Sequence, residues 1–196
     1  MDEVKLLNRV DTKFVFKASK LNDLLSLLRN DYDVLEIKEE TAISYESLYF
    51  DTEDFFAFNQ HQRGKGERFK IRFRKYVSSN LCFLEVKKKH KGRTIKNRIC
   101  VVDFEDELSE SNIEFVSSQI DLNDKQLKSV LQIDYKRISL VNKDRSERIT
   151  LDLDLKVKNS RIEKKLKSII IAELKQKKIS RTSKFYQAVK KLHIRN

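Results

Sequence analysis

The sequence predicts an α+β fold: an antiparallel barrel of roughly eight strands, closed or nearly closed, with helices packed outside and a closing helix at the C-terminus. Three observations lead to this prediction. Most of the chain alternates apolar and polar residues with the period of a strand. Proline is absent, and the three glycines, Gly64, Gly66 and Gly92, fall where strands are separated. The length and the lack of repeats or flexible linkers predict one domain over residues 1–196.

Eight segments alternate apolar and polar residues and are bounded by turn or cap signals, which predicts strands. In chain order these are Arg9–Phe16, Thr41–Phe50, Glu67–Val77, Leu81–Lys89, Thr94–Phe104, Gln132–Val141, Arg148–Val157 and Ser168–Gln176. Lys91-Gly92-Arg93 divides the fourth strand from the fifth, so a hairpin is expected there.

Helices are fewer, and each is predicted where apolar residues recur at helical spacing beside a capping residue. They cover residues 21–30 after Ser19, residues 124–131 after Asn123, and residues 184–193 after Thr182 or Ser183. A short turn is expected after Thr52, with Phe55, Phe56 and Phe58 as its apolar contacts. The acidic segment 105–118 fits no single element.

The net charge of the chain indicates which chemical class of molecule it binds. Lysine and arginine outnumber aspartate and glutamate by 42 to 30, giving a net charge of +12, so we expect a polyanion: nucleic acid, anionic membrane, nucleotide or phosphate chain. No apolar run approaches the roughly 18–20 residues of a membrane helix, and the first residues show no signal-peptide pattern, which predicts a cytoplasmic protein.

Cys82 and Cys100 are predicted to be free thiols, and the three histidines lack the spacing of zinc ligands.

Cations line up on one face of several predicted strands, most clearly Arg68, Lys70, Arg72 and Arg74. A strand with one face in water would explain each case alone. The enrichment in arginine and lysine, and the helices available to cover the apolar faces, favour a barrel whose charged faces point inward. Buried cations without partners are costly, so such a lumen needs a bound polyanion. A phosphate chain fits, because arginine binds phosphate through two hydrogen bonds and lysine adds charge.

Two carboxylates lie on these basic faces. Glu85, beside Lys87, is expected to be an ion-paired partner of the cations. For Glu173 two roles stay open: an ion pair with the cations, or a ligand of Mg²⁺ or Mn²⁺. These ions prefer one or two carboxylates together with substrate phosphates.

Nine short segments, in this order, resemble a known family. They are RVDTKF (9–14), LYFDTED (48–54), IRFR (71–74), FLEVK (83–87), KNR (96–98), YKR (135–137), RITLD (148–152), AELK (172–175) and SKF (183–185). The chain resembles the VTC domain, the catalytic domain of the vacuolar transporter chaperone polyphosphate polymerase. That family belongs to the CYTH-like triphosphate tunnel metalloenzymes, whose antiparallel barrel encloses a basic tunnel.

The resemblance implies a polyphosphate polymerase that transfers the γ-phosphate of ATP to phosphate or polyphosphate with Mn²⁺ or Mg²⁺. It implies catalytic roles for Lys13, Arg72, Arg74, Lys87, Arg137, Arg148 and Glu173, the last as metal ligand. It implies substrate-binding roles for Lys96, Arg98, Tyr135, Arg181, Ser183 and Lys184, although the family commonly has lysine where Arg181 stands. The first strand reads VDTK instead of the Glu-x-Glu-x-Lys of the tunnel hydrolases, which fits the polymerase branch better.

Two other functions stay open. A tripolyphosphatase or nucleoside triphosphatase would use the same tunnel, with water as the acceptor. A non-catalytic polyanion-binding or nucleic-acid-binding barrel is the weaker alternative, because the phenylalanines of residues 67–77 lie opposite the arginines, whereas base stacking along a phosphate track needs both on one surface. No nucleic-acid partner is therefore expected, and a membrane partner is left open.

Overall fold

A computed structural model describes residues 10–122 and 125–195. Among these residues are ten strands and four α-helices. The strands are β1 (Val10–Lys17), β2 (Tyr32–Val34), β3 (Ala42–Asp51), β4 (Arg68–Tyr76), β5 (Leu81–His90), β6 (Arg93–Val101), β7 (Lys128–Asn142), β8 (Glu147–Lys158), β9 (Glu163–Leu166) and β10 (Ile169–Gln176). The helices are α1 (Leu21–Leu28), α2 (Phe56–Gln62), α3 (Glu110–Gln119) and α4 (Lys184–Lys191).

The strands belong to one antiparallel sheet with the order β1-β10-β8-β7-β3-β4-β5-β6, and β2 and β9 pair with β7 and β8 outside this path. The eight strands of the path are the eight that the sequence predicts, so the antiparallel α+β fold is confirmed. The β5–β6 hairpin is also confirmed. Its two-residue turn consists of Lys91 at φ 47° and Gly92 at φ 77°, and a type I′ turn needs a positive φ at both positions.

The chain divides into two compact units, each with its own core. The described part of the first unit is residues 10–44, 135–156 and 165–195, and that of the second is residues 45–122, 125–134 and 157–164. In the first unit, Leu24 and Leu28 of α1 pack with Phe185 of α4 and with the apolar face of its strands. In the second, Phe73 of β4 and Val116 of α3 lie in one apolar cluster. The single domain remains a prediction.

Two of the three predicted helices are confirmed. Helix α1 buries Leu24 and Leu28 of the predicted segment 21–30, and α4 begins after Ser183, whose Oγ accepts a hydrogen bond from the Tyr186 backbone N–H at 3.2 Å. The helix predicted over residues 124–131 is wrong, because β7 begins at Lys128. Asn123, its expected cap, lies outside the described residues, as does Arg9. None of the described helices is long and apolar enough to cross a membrane.

The turn predicted after Thr52 leads into α2, but Phe55 and Phe58, two of its three expected apolar contacts, are exposed. Asp51 is buried, and its carboxylate accepts hydrogen bonds from the backbone N–H groups of Thr52, Ala57 and Phe58 at 2.8, 2.8 and 2.9 Å. Ala57 and Phe58 lie in the first turn of α2, where backbone N–H groups have no partner within the helix, so the carboxylate completes their hydrogen bonding. Asp51 thereby fixes α2 to the end of β3.

Candidate functional site

The polar face of β4, β5 and β6 is almost uniformly cationic. The strand register places Arg72 opposite Glu85 and Glu85 opposite Arg98, and residues two positions away along each strand share this side. We call this surface the cationic face. Its charged side chains are Arg68, Lys70, Arg72, Arg74, Glu85, Lys87, Lys89, Lys96 and Arg98. Among the described residues of these three strands, many lysines and arginines therefore share the cationic face with one carboxylate, that of Glu85.

Three lysines of the cationic face lie side by side at one level. Lys70 of β4 is opposite Lys87 of β5, and Lys87 is opposite Lys96 of β6. Like charges directly opposite one another on neighbouring strands destabilise a sheet. All three lysines are exposed, so a polyanion can contact their ammonium groups at once. We call these residues the lysine row.

Glu85 is the buried carboxylate of the cationic face. It is 2% exposed, and its Oε2 accepts hydrogen bonds from Nε and Nη2 of Arg72 at 2.8 and 2.6 Å. The Lys96 Nζ lies 2.5 Å from Oε1. Burial alone raises the pKa of Glu85, but the charges of Arg72, Lys96 and Arg74 outweigh it and lower the pKa to about 2. The expected ion pairing of Glu85 is thus observed, with Arg72 and Lys96 as the partners that it orients.

Tyr49 of β3 lies against the cationic face. Nη1 of Arg72 donates a hydrogen bond to the Tyr49 hydroxyl at 2.9 Å, and the guanidinium carbon lies 5.6 Å from the centre of the ring. Burial by itself raises the pKa of Tyr49, yet the charges of Arg72 and Arg74 outweigh it, and the pKa is lowered. A lowered pKa in a buried tyrosine indicates a strongly positive potential, which favours anionic ligands.

The polar face of the first unit has a different character, because its cations are balanced by carboxylates. Lys13, Glu173 and Thr150 lie in one row across β1, β10 and β8. Lys175 donates a hydrogen bond to Glu173, and Nζ of Lys13 lies 3.9 Å from Glu173 Oε1. Burial alone raises the pKa of Glu173, but Lys175, Lys13 and Arg137 outweigh it and lower the pKa. Glu173 is therefore held in its ionised form.

Arg137 of β7 and Asp152 of β8 form a bidentate ion pair in the same unit. Nε and Nη2 of Arg137 donate to the two carboxylate oxygens at 2.6 and 2.7 Å. The guanidinium carbon lies 5.1 Å from the centre of the Tyr135 ring, and Tyr135 is buried. Arg148 is exposed and lies opposite Lys175. The pairing with Asp152 fixes the orientation of Arg137.

Thr150 provides a test of whether this unit fits a divalent metal. Its hydroxyl is buried, lacks a hydrogen-bond partner within the described chain, and belongs to the residue opposite Glu173. Among residues 10–122 and 125–195 there is no group of three or more His, Cys, Asp or Glu side chains that could hold a metal ion. The residues fit a Mg²⁺ or Mn²⁺ ion bound through Glu173 when substrate phosphates supply the other oxygen ligands, an arrangement common for Mg²⁺.

The start of α4 lines a cavity of about 560 Å³ within the first unit. Ser183 and Lys184 belong to its wall, together with residues of the β7–β8 turn and of the end of β10. Glu147 at this cavity is buried and accepts hydrogen bonds from Tyr32 and Gln176. Arg181 is exposed in the turn before α4 and is not part of the wall.

The sequence model of the VTC domain matches residues 8–168, which is most of the chain. The chain belongs to the VTC domain family. This confirms the resemblance carried by the nine short segments. No curated protein sequence matches the chain significantly.

Solved structures similar to this VTC domain share its fold at low sequence identity. A candidate adenylate cyclase from Bacillus halodurans is 15% identical with a TM-score of 0.56, and the match covers 95% of this chain and 92% of that one. A candidate adenylate cyclase from Vibrio parahaemolyticus is 9% identical with a TM-score of 0.50, covering 94% and 88%. The PH1012 protein from Pyrococcus horikoshii is 11% identical with a TM-score of 0.50, covering 95% and 91%. At these identities the likeness shows the fold alone.

The predicted site residues of the VTC domain divide between the two units. The second unit contains Arg72, Arg74, Lys87, Lys96 and Arg98, all on the cationic face. The first unit contains Lys13, Tyr135, Arg137, Arg148, Glu173, Arg181, Ser183 and Lys184.

Sequence reasoning missed two partners of these residues. Asp152 binds Arg137, and Tyr49 binds Arg72. Each is in a strand that the sequence predicts, at a position of the expected polar side. What the sequence lacks is the cross-strand register that places each pair in contact.

Proposed function

We propose that this chain is a polyphosphate polymerase that transfers the γ-phosphate of ATP to phosphate or to a growing polyphosphate chain. The lysine row is the observation that carries this proposal. Three lysines lie at one level of the sheet, Lys96 among them already paired with Glu85, and a chain of phosphates offers each ammonium group an oxygen. Membership of the VTC domain family supports the same reaction.

The cationic face supplies what phosphoryl transfer requires. The reaction needs little covalent chemistry from the protein, because the rate depends on aligned reactants and neutralised charge. Arg72, already oriented by Glu85, presents its guanidinium without reorganisation, which is how preorganised charge stabilises a transition state. Arg74 and Arg98 are assigned as phosphate ligands beside it, and Lys87 and Lys96 as ligands of the transferred phosphate.

In the first unit we assign Glu173 as the metal ligand. The remaining predicted phosphate ligands there are Lys13, Tyr135, Arg137, Arg148, Arg181, Ser183 and Lys184. When bound, Mg²⁺ or Mn²⁺ supplies positive charge to the phosphate oxygens. Lys175 keeps Glu173 ionised and ready for that role.

The proposed transfer forms one bond to phosphorus and breaks one. An oxygen of the terminal phosphate of the acceptor forms a bond to the γ-phosphorus of ATP, and the bond from that phosphorus to the β,γ-bridging oxygen breaks. ADP leaves with the electron pair of that bond. The chain grows by one phosphate, and no oxidant or reductant is required.

The test is incubation of the purified chain with ATP and Mn²⁺ or Mg²⁺, followed by gel electrophoresis of the products. We expect a polymer that an exopolyphosphatase removes, formed together with ADP. Lys87→Ala should lower the rate about tenfold or more, because it removes a charge from the transition state. Lys88→Ala is the matched control, since Lys88 is the next residue of β5 and points to the opposite face.

Three results would each contradict one part of this proposal. Release of orthophosphate without polymer would replace it with the triphosphatase that uses the same side chains. Polymer formation that is equally reduced in the Lys87→Ala and Lys88→Ala variants would remove the cationic face from the reaction. A Glu173→Ala variant that keeps full activity with either metal would refute the metal assignment.

A further inference from the structure

Aromatic rings from three strands share the cationic face with the arginines. Tyr45 of β3 is opposite Tyr76 of β4, with ring centres 5.0 Å apart. The ring of Phe83 in β5 lies edge-on to Tyr76 at 5.9 Å. All three rings are half-buried and belong to the second unit. They form an aromatic patch at the end of the strands that lies away from the lysine row.

Guanidinium groups lie over two rings of this patch. The guanidinium carbon of Arg74 is 5.4 Å from the centre of the Tyr45 ring, and that of Arg98 is 4.5 Å from the centre of the Phe83 ring. Flat rings and guanidinium planes are the surfaces on which nucleobases stack. The patch therefore has the chemistry of a base-binding surface, directly beside cations suited to phosphate.

The order of side chains along β4 gives the patch a defined place relative to phosphate ligands. Tyr76, Arg74, Arg72 and Lys70 follow at two-residue steps, each about 7 Å along the strand. One step from the aromatic ring leads to an arginine, a second to the Arg72–Glu85 pair, and a third to the lysine row. A nucleotide laid along β4 thus meets a stacking surface, then guanidinium groups, then ammonium groups.

We propose that Tyr45, Tyr76 and Phe83 form a nucleobase-binding subsite, so that a nucleoside triphosphate binds with its base on this patch and its terminal phosphate toward the lysine row. This assignment rests on the proposed function, and it defines how the nucleoside triphosphate that donates the phosphate lies on the cationic face. It makes nucleoside triphosphate, and not inorganic tripolyphosphate, the ligand that uses the whole face. Because every base has a π-face, stacking of this kind tolerates different bases.

The test compares binding of ATP with binding of inorganic tripolyphosphate, each with Mg²⁺, by isothermal titration calorimetry on the full chain. Tyr76→Leu removes the central ring, and Tyr76→Phe keeps it. Loss of base stacking should raise the Kd for ATP about ten- to a hundredfold in Tyr76→Leu, whereas Tyr76→Phe should bind as wild type does. The Kd for tripolyphosphate should stay within about twofold in both variants, which also shows that the variants are folded.

Phe83→Leu provides an independent second variant with the same expected selective loss of ATP affinity. The subsite is refuted if Tyr76→Leu leaves ATP affinity unchanged, or if ATP and tripolyphosphate weaken in parallel. Binding of a single-stranded oligonucleotide that ATP cannot displace would also overturn it, since the patch would then serve nucleic acid. Failure of the proposed function looks different: wild type would form no polymer from ATP, whatever the ranking of the variants in binding.

Discussion

Replacing Glu85 by glutamine should destabilise the fold, because the carboxylate is buried between two cations. The side chain keeps its shape in the Glu85→Gln variant but loses its charge. The Arg72 guanidinium, which donates two hydrogen bonds to a carboxylate oxygen of Glu85, then no longer faces a negative charge. Lys96 loses the same anionic partner. Removing one partner of a buried ion pair is more costly than never having formed it, since the remaining charge is left in a poorly solvated place.

The magnitude follows from the pKa of Glu85. Its pKa falls from an ordinary value of 4.5 to about 2 in the folded protein. At about 1.4 kcal/mol per pKa unit, this corresponds to about 3 kcal/mol of the free energy of unfolding. Because the folded pKa is the lower one, the contribution is complete above about pH 4.5 and is lost as the pH falls toward 2.

The assay is urea denaturation of wild type and Glu85→Gln from pH 7 down to pH 2.5, followed by circular dichroism. We expect the variant to be less stable by about 3 kcal/mol at pH 7, and the difference to shrink as the pH falls below about 4.5. Glu114→Gln is the matched control, because Glu114 is exposed on α3 and should leave the free energy of unfolding nearly unchanged. Equal stability of Glu85→Gln and wild type at pH 7, or a difference that grows in acid, would refute this account of the cationic face.

Three further substitutions test other parts of the structure. Asp51→Ala should lower the free energy of unfolding by about 1–3 kcal/mol, since three backbone N–H groups lose their acceptor; an unchanged thermal midpoint would contradict this. Ser183→Ala should cost about 1 kcal/mol through loss of the α4 cap, with Thr182→Ala as a control that should cost less. Asp152→Ala should lower stability by about 2 kcal/mol, because Arg137 loses a bidentate partner; urea denaturation with no change in midpoint would show that solvent replaces it.

The strands were predictable because their signal is local. Alternation along residues 68–76 places Phe69, Ile71 and Phe73 in the core and the arginines on the other side, and the structure follows it. The family segments can also be recognised in a single sequence, because they are short and most of them lie within one strand. The same locality explains the β5–β6 hairpin, where Gly92 marks the turn.

The helix predicted over residues 124–131 failed for a physical reason. Leu127, Val130 and Leu131 are spaced as a helix requires, but a window this short fits either period. Residues from Lys128 onward join β7, a strand of 15 residues whose length depends on neighbours far away in the chain. Sheet pairing thus overrides a local preference that helical spacing alone suggested.

The sequence by itself determined that cations are lined up on strand faces, because side-chain alternation is a property of the extended backbone. Only the tertiary structure decided which side chains of neighbouring strands face each other. Arg137 meets Asp152 across β7 and β8, and Lys70, Lys87 and Lys96 are placed opposite one another. It also decided that Tyr45 of β3 shares a surface with the arginines of β4. Such contacts depend on register between strands distant in sequence, which is fixed when the whole sheet packs and not by any single segment.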